Sequence, residues 1–259
     1  MSTQKIDTAI GSARQASRDA DYVLSAECVE ALNLLIDAAS CTDGARLHTP
    51  EFGRDEYLVN CDAAGCPTNV ESCADLDALT VGNEPWIKRA GEHLLVSRWL
   101  AHFIGFRHRV IHLFLDHPDH PDCTFAQIRS LAKYNSPGRL DMPIGGHVTD
   151  SDDLPSSLTR ELHEELGLEM DRDVDDLREV GTFNVLEDAD MPDHIEVELA
   201  TVYRATIKRE LVSKLRFQPG EVGALALFRI DELDRWIRER PEDVGGGMRD
   251  SWRYYKKRH

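Results

Sequence analysis

Three glutamates crowd the stretch "RELHEELGL". If residues 155 to 167 form a helix, Glu161, Glu164 and Glu165 project within roughly a 100° sector of it. Like charges at that spacing repel, and Arg160 and His163 are the only basic side chains available to relieve them. A divalent cation would supply the missing countercharge. Hard carboxylate oxygens are the donors that magnesium takes, and magnesium so held neutralises phosphate oxygens and activates water. Pro155 suits a first helical turn, with Asp152 or Asp153 as cap. Gly145 and Gly146 let the chain turn sharply before the helix, and Gly167 ends it. A merely solvated acidic helix would explain Leu158, Leu162 and Leu166, but not the glutamates together with Arg160 and the glycines.

The rest of the chain must position this helix. It has 259 residues, 41% of them hydrophobic, enough to bury a substantial core. A net charge of -17 argues against non-specific adhesion to nucleic acid or anionic lipid. No apolar run reaches the roughly 18 residues of a membrane span, and the opening "MSTQKIDTAIGSARQASRD" lacks the apolar centre of a secretory signal, so a cytoplasmic location and no membrane partner are expected. The six cysteines form no CxxC pair and read as packing residues; the gaps between Cys61, Cys66 and Cys73 suit no common zinc ribbon.

Residues 2 to 40 have helical spacing and read as an N-terminal arm, with a boundary near residue 50. "EYLVNCDAAGCPTN" reads as a strand, a turn at Asp62 to Gly65, and a second short strand. Residues 84 to 104 return to helical spacing through Trp86, Leu94, Leu95, Trp99 and Leu100, so a helical insertion is expected near 71–106. "RVIHLFLDH" is a buried strand and "TFAQIRS" its return, with His117 and His120 in an exposed hairpin loop. "LREVGTFNVL" and "HIEVELATVYRATI" read as long strands. "GALALFRIDELDRWIRER" reads as a strand entering a helix capped by Asp231, and the glycine run 245–247 as a flexible joint. The order is not a repeating βαβ pattern, which favours an α/β/α sandwich on a mixed sheet.

Gly146, Asp152 and "RELHEELGL" together resemble the Nudix box: glycine, five residues, Glu, seven residues, then Arg-Glu-aliphatic-any-Glu-Glu-any-Gly-aliphatic. One fixed position departs, Asp152 standing where the family has glutamate. The resemblance implies a Nudix-type α/β/α sandwich over residues 51–259 behind a helical arm at 1–50. It also implies Mg2+, with Mn2+ as substitute, a small-molecule diphosphate substrate, and a homodimer. Glu161, Glu164 and Glu165 become metal ligands and catalytic groups, and Arg160 orients a box carboxylate. Glu221, before the last strand, matches a further metal-binding or water-activating glutamate.

The segments "EYLVNCDAAGCPTN", "RHRVIHLFL" and "IRSLAKYNSPGRLDMPIGGHV" are similar to the isopentenyl diphosphate isomerase branch. There an Arg and a Lys four positions on hold the diphosphate, and Arg129 and Lys133 match them. His147 matches that branch's metal-binding histidine. Glu196 matches an acidic metal contact and shares a strand face with His194 and Glu198. Gly145, however, stands where the isomerase has its catalytic cysteine, and glycine transfers no proton. The leading expectation is therefore hydrolysis of a phosphoanhydride, with Gly145 and Gly146 lining the ligand site. Isomerisation, or a non-catalytic nucleotide-sensing module, are the alternatives. Trp86, Trp99 and Tyr134 are aromatic groups that could stack on a base, each better read as packing.

Overall fold

The computed structural model describes residues 2–40, 56–68, 78–81, 84–149, 153–188 and 194–257. Two compact units emerge, and the chain enters each more than once. The first comprises Met1–Arg109, Val148–Ser151 and Asn184–Leu199; the second comprises Val110–His147, Asp152–Phe183 and Ala200–His259. Among the described residues no helix is long and apolar enough to cross a membrane.

In the first unit the expected helical stretch is two helices, α1 (Ser2–Asp19) and α2 (Ala26–Ser40). Ile6, Ala9 and Ala13 recur on one buried face of α1, as do Cys28, Leu32 and Leu35 on α2. The chain breaks between them at Asp21 and Tyr22, both left-handed at φ 52° and 63°. Arg107, itself buried, holds that break by donating to the Asp21 backbone oxygen at 2.7 Å and pairing with its carboxylate at 3.1 Å. The expected boundary near residue 50 lies outside the described residues.

An antiparallel sheet follows: β1 (Tyr57–Val59), β2 (Ala78–Val81), β3 (Glu84–Ala90) and β4 (His93–Ser97), in the order β1-β4-β3-β2. The turn after β1 is as expected, Asp62 Oδ1 accepting from the Ala64 and Cys66 amides at 2.8 and 2.9 Å. The second short strand there is only an isolated bridge, Cys61 to Pro67.

The helix expected over 84–104 is not formed; its first part is the β3–β4 hairpin. Gly91, left-handed at φ 57°, supplies the turn, and the apolar pairs Trp86-Ile87 and Leu94-Leu95 are buried from strands. Helical structure is confined to α3 (Arg98–Leu100) and a π-helical turn over Ala101–Gly105. Trp86, Trp99 and Phe103 form a run of ring contacts at 5.2 and 4.8 Å within this unit's core, consistent with packing rather than an exposed base platform.

The remaining elements, most of whose residues belong to the second unit, begin with strands β5 (His108–His117), β6 (His120–Arg129), β7 (Leu140–Asp141) and β8 (Ile144–His147), then helices α4 (Leu154–Leu166) and α5 (Met170–Asp173). After these come β9 (Val174–Asp188), β10 (Ile195–Ile207), β11 (Val222–Arg229), α6 (Ile230–Glu239) and α7 (Gly246–Lys256). The sheet runs β11-β6-β5-β10-β9, with β7 paired to β6 and β8 to β5. β5 is the apolar strand expected, Ile111, Leu113, Phe114 and Leu115 all buried, and it turns tightly at His117 and His120 into β6. With helices and sheet in this order the fold is the mixed α/β class expected.

Two local expectations are corrected. Asp231 does not cap α6: Arg229 stands at the cap position, and Asp231 sits in the first turn, paired to Arg229 at 3.2 Å, where a carboxylate still favours the helix dipole. Nor is the glycine run a joint. Gly245 donates to the Leu140 backbone oxygen at 2.8 Å, and a Cβ there would meet the Asp141 carboxylate at 3.0 Å, while one on Gly247 would meet His112 at 3.2 Å. These glycines let α7 start against the sheet, where Tyr255 donates to the buried Asp116 at 2.6 Å and Ser251 contacts His112 at 2.6 Å.

Candidate active site

The glutamate helix forms for the local reasons its sequence contains. Asp153 is the N-cap, its carboxylate accepting from the Ser156 amide at 2.8 Å, and Pro155 lies in the first turn. Leu158, Leu162 and Leu166 are at most 1% exposed and seat one face. Gly167 ends the helix in the left-handed region at φ 68°, and its amide donates to the His163 carbonyl at 2.9 Å. Asp152 lies outside the described residues.

Gly145 and Gly146 do not turn the chain. Both are in β8, opposite His112 and Ile111 of β5. What Gly146 provides is absence of bulk: a Cβ there would lie 2.2 Å from the Glu161 carboxyl carbon. The carboxylate of Glu161 thus rests on the bare backbone of β8. Arg160 fixes it there, donating to Glu161 at 2.7 Å, to the His147 backbone oxygen at 3.0 Å and more weakly to Glu164 at 3.4 Å. Glu164 is the outlying member, its side chain 46% exposed.

Glu165, by contrast, is buried, 6% exposed. Among the described residues its Oε2 is buried and has no hydrogen-bond partner. Burial pushes its carboxyl well above the usual range, the charges of Glu161 and Glu221 push it further, and Lys133 and Arg129 pull it back. Those five residues therefore share one electrostatic neighbourhood. Lys133 is ion-paired with Glu221, and Arg129 donates to Asp141 at 3.0 Å and to the Asn135 backbone oxygen at 3.1 Å. An ionised carboxylate oxygen left buried without a partner is costly, and carboxylates at close quarters repel; a divalent cation answers both. Glu161, Glu165 and Glu221 offer hard oxygen donors of the kind such an ion takes.

A second cluster of ligating side chains belongs to the first unit. His194 directly precedes β10 and Glu196 lies at its start, with Nε2 to Oε1 at 2.9 Å. His102, from the π-helical turn, approaches Glu196 Oε2 at 3.4 Å and stacks on His194 with ring centroids 4.2 Å apart. His108 packs edge-on to His102 at 4.9 Å and faces Glu198 at 3.7 Å. One ligand atom from each of His102, His194 and Glu196 lies within 4.8 Å of the others. Burial keeps His102 and His108 towards the neutral form. Burial also opposes the Glu196 carboxylate, but His102 and His194 outweigh it and hold that carboxyl well below the usual range. Burial and the charge of Glu196 push Glu198 the other way. His102 escaped the sequence reading because residues 84–104 read as a helix, and His108 because a single histidine heading an apolar strand carries no ligand spacing of its own.

The family comparison bears on the first site. A family model described as the NUDIX domain matches residues 106–245. The chain belongs to the Nudix family. The stretch from Gly146 on β8 through α4 that resembles the Nudix box lies within the matched residues. No curated protein matches the chain in sequence. Among solved structures, it is similar to a protein of Deinococcus radiodurans at 21% identity and TM-score 0.45, covering 56% of this chain and 80% of that one. A MutT NUDIX hydrolase from Burkholderia pseudomallei matches at 19% identity and TM-score 0.42, over 57% of this Nudix chain and 97% of that one. The NUDIX domain of Shewanella oneidensis NrtR, solved with ADP ribose, matches at 12% and 0.43, over 58% and 86%.

Proposed function

We propose that this Nudix protein is a hydrolase that splits a phosphoanhydride bond in a nucleoside diphosphate derivative or another organic diphosphate, with Mg2+ or Mn2+. The observation that carries the reading is the buried, partnerless Oε2 of Glu165 in the same electrostatic neighbourhood as Glu161 and Glu221. When bound, the cation would neutralise phosphate oxygens and lower the pKa of a nearby water. The chain's own residues do the rest. Glu161, Glu165 and Glu221 would hold the ion, and Arg160 keeps Glu161 aimed over Gly146. Glu164, more exposed, is the carboxylate best able to orient an attacking water or take its proton. Arg129 and Lys133 supply positive charge for the phosphates, and Gly145 and Gly146 keep the β8 floor open.

Isomerisation is the weaker reading. A side chain at 145 would face Met142 Sδ at 3.2 Å and His112 at 3.7 Å, and glycine offers no group there to move a proton. A pure sensing module is disfavoured by retention of every box carboxylate of α4. The test is a turnover screen with Mg2+ or Mn2+ over nucleoside triphosphates, dinucleotides, nucleotide sugars and prenyl diphosphates, with products read by mass spectrometry. Glu164→Gln and Glu165→Gln run beside it. Cation-dependent cleavage lost in both variants is expected; tight ligand binding with no turnover would overturn the hydrolase in favour of sensing.

The second cluster supports a separate divalent cation at His102, His194 and Glu196, where neutral imidazoles and an ionised carboxylate are the ligating forms. Metal content of the purified protein, compared with that of Glu196→Gln, tests it: equal content in both would remove that site. A cytoplasmic homodimer belongs to the same reading, and light scattering in solution tests its assembly.

A further inference from the structure

Three cationic side chains serve the box carboxylates, and they are not equally committed. Arg160 donates to the carboxylates of Glu161 and Glu164 and to the backbone oxygen of His147. Arg129 is fixed by Asp141 and by the Asn135 carbonyl. Lys133 pairs with one carboxylate, Glu221. It also sits on the segment between β6 and β7, whose root is tied to the same residue: the Ser130 amide donates to the Glu221 backbone oxygen at 3.0 Å. The Lys133 amide in turn donates to the Ser130 carbonyl at 3.2 Å. A change of rotamer along the flexible lysine stem can therefore move the ammonium off Glu221 without moving the backbone.

We propose that Lys133 is a resident countercation for Glu221 which an entering divalent cation displaces and an incoming phosphate then engages, so that cation and anion bind with positive coupling. The proposal rests on the hydrolase reading above. While Glu221 is paired to Lys133, part of the site's negative charge is already answered, and a cation entering alone must compete with the ammonium. Once the cation takes Glu221, the ammonium is repelled by it and left beside the place where phosphate oxygens approach. An anion that accepts Lys133 removes the competitor. Lys133 is thus a positioning residue whose two partners are used in turn, while Arg129 and Arg160 keep theirs.

The experiment measures Mn2+ binding by electron paramagnetic resonance with and without methylenediphosphonate, which is not hydrolysed at its bridge. It uses the full chain as wild type, Lys133→Met, Lys133→Arg and Glu165→Gln, the last identifying which Mn2+ belongs to the box. Lys133→Met should bind Mn2+ alone about two- to fivefold more tightly, the scale of a part-exposed ion pair. In wild type the diphosphonate should tighten Mn2+ about fivefold or more, and in Lys133→Met that gain should fall to near onefold, while Lys133→Arg retains it. Unchanged or weaker Mn2+ binding by Lys133→Met overturns the countercation, even if anion binding is lost. A diphosphonate gain that survives in Lys133→Met overturns the coupling. Wild type binding no Mn2+ that Glu165→Gln loses would instead bring down the hydrolase reading, and the proposal with it.

Discussion

Replacing Gly146 by alanine tests whether the bare backbone of β8 is what positions Glu161. The residue is extended and paired with Ile111, so alanine suits its backbone; only the added Cβ matters. That atom would lie 2.2 Å from Glu161 Cδ and Oε1 and 2.5 Å from Cγ, whereas carbon atoms pack at about 3.5 Å or more. The carboxylate must therefore retreat by at least roughly 1.3 Å, losing its 2.7 Å contact with Arg160. A displacement of about 1 Å in a reacting constellation can lower turnover about 100-fold, equivalent to about 2.7 kcal/mol. Overpacking should cost a further 1–3 kcal/mol or so of stability. The assays are kcat/KM on the substrate found in the screen and thermal unfolding, each repeated in a Glu161→Ala background. There the stability penalty of Gly146→Ala should largely vanish, since the atoms it strikes are gone. Gly145→Ala is the comparison: its nearest neighbour is the thioether of Met142 at 3.2 Å, a yielding group, and turnover should change no more than about threefold. Near wild-type turnover in Gly146→Ala, or an equal stability penalty with and without the Glu161 carboxylate, would refute the reasoning.

Other outcomes follow from the same geometry. Because burial raises the Glu165 carboxyl above its unfolded value, its own contribution to metal-free stability should be fullest below the ordinary carboxylate range and be lost as pH rises through the raised value; in EDTA, Glu165→Gln should lack this loss and unfold at a higher temperature than wild type at pH 8. Mn2+ at 100 times its Kd should stabilise wild type by about 2.7 kcal/mol, roughly 5–10 °C, and Glu165→Gln should lose the box's share of that shift. Asp153→Ala removes the cap of α4 and should cost about 1 kcal/mol in denaturant unfolding while leaving Mn2+ affinity within about twofold. Tyr255→Phe takes one donor from the buried Asp116, which Arg204 also contacts, and should cost about 1.5–3 kcal/mol by the same measurement.

What the sequence reveals here depends on how far apart the interacting residues lie. Helix α4 was legible because its cap, first-turn proline, leucine face and terminal glycine are all local, and β5 because its branched and aromatic run is continuous. Residues 84–104 were not, because Trp86-Ile87 and Leu94-Leu95 are apolar pairs that fit either period, and the arbiter is the left-handed turn at Gly91. The glycines at 145 and 146 were recognised but misread: a glycine needed for its missing Cβ looks the same in sequence as one needed for its φ. The pairing of Lys133 with Glu221 spans 88 residues, and no pattern along the chain announces it. His102 and Glu196 meet across a similar separation, so half of the second cluster was visible on its strand and the other half was not.

The division of the chain into two units that it visits by turns has a consequence for synthesis. The first unit takes its opening 109 residues from the N-terminus but is completed by Asn184–Leu199, which carries His194 and Glu196. As the polypeptide leaves the ribosome, N-terminal first, His102 and His108 wait for ligand partners that emerge only after β5 to α5 have been made. The histidine pair is thus a marker of how far translation has gone: a chain halted before residue 184 can present the imidazoles but not the carboxylates, and only a chain extended beyond Leu199 can bring the whole cluster together.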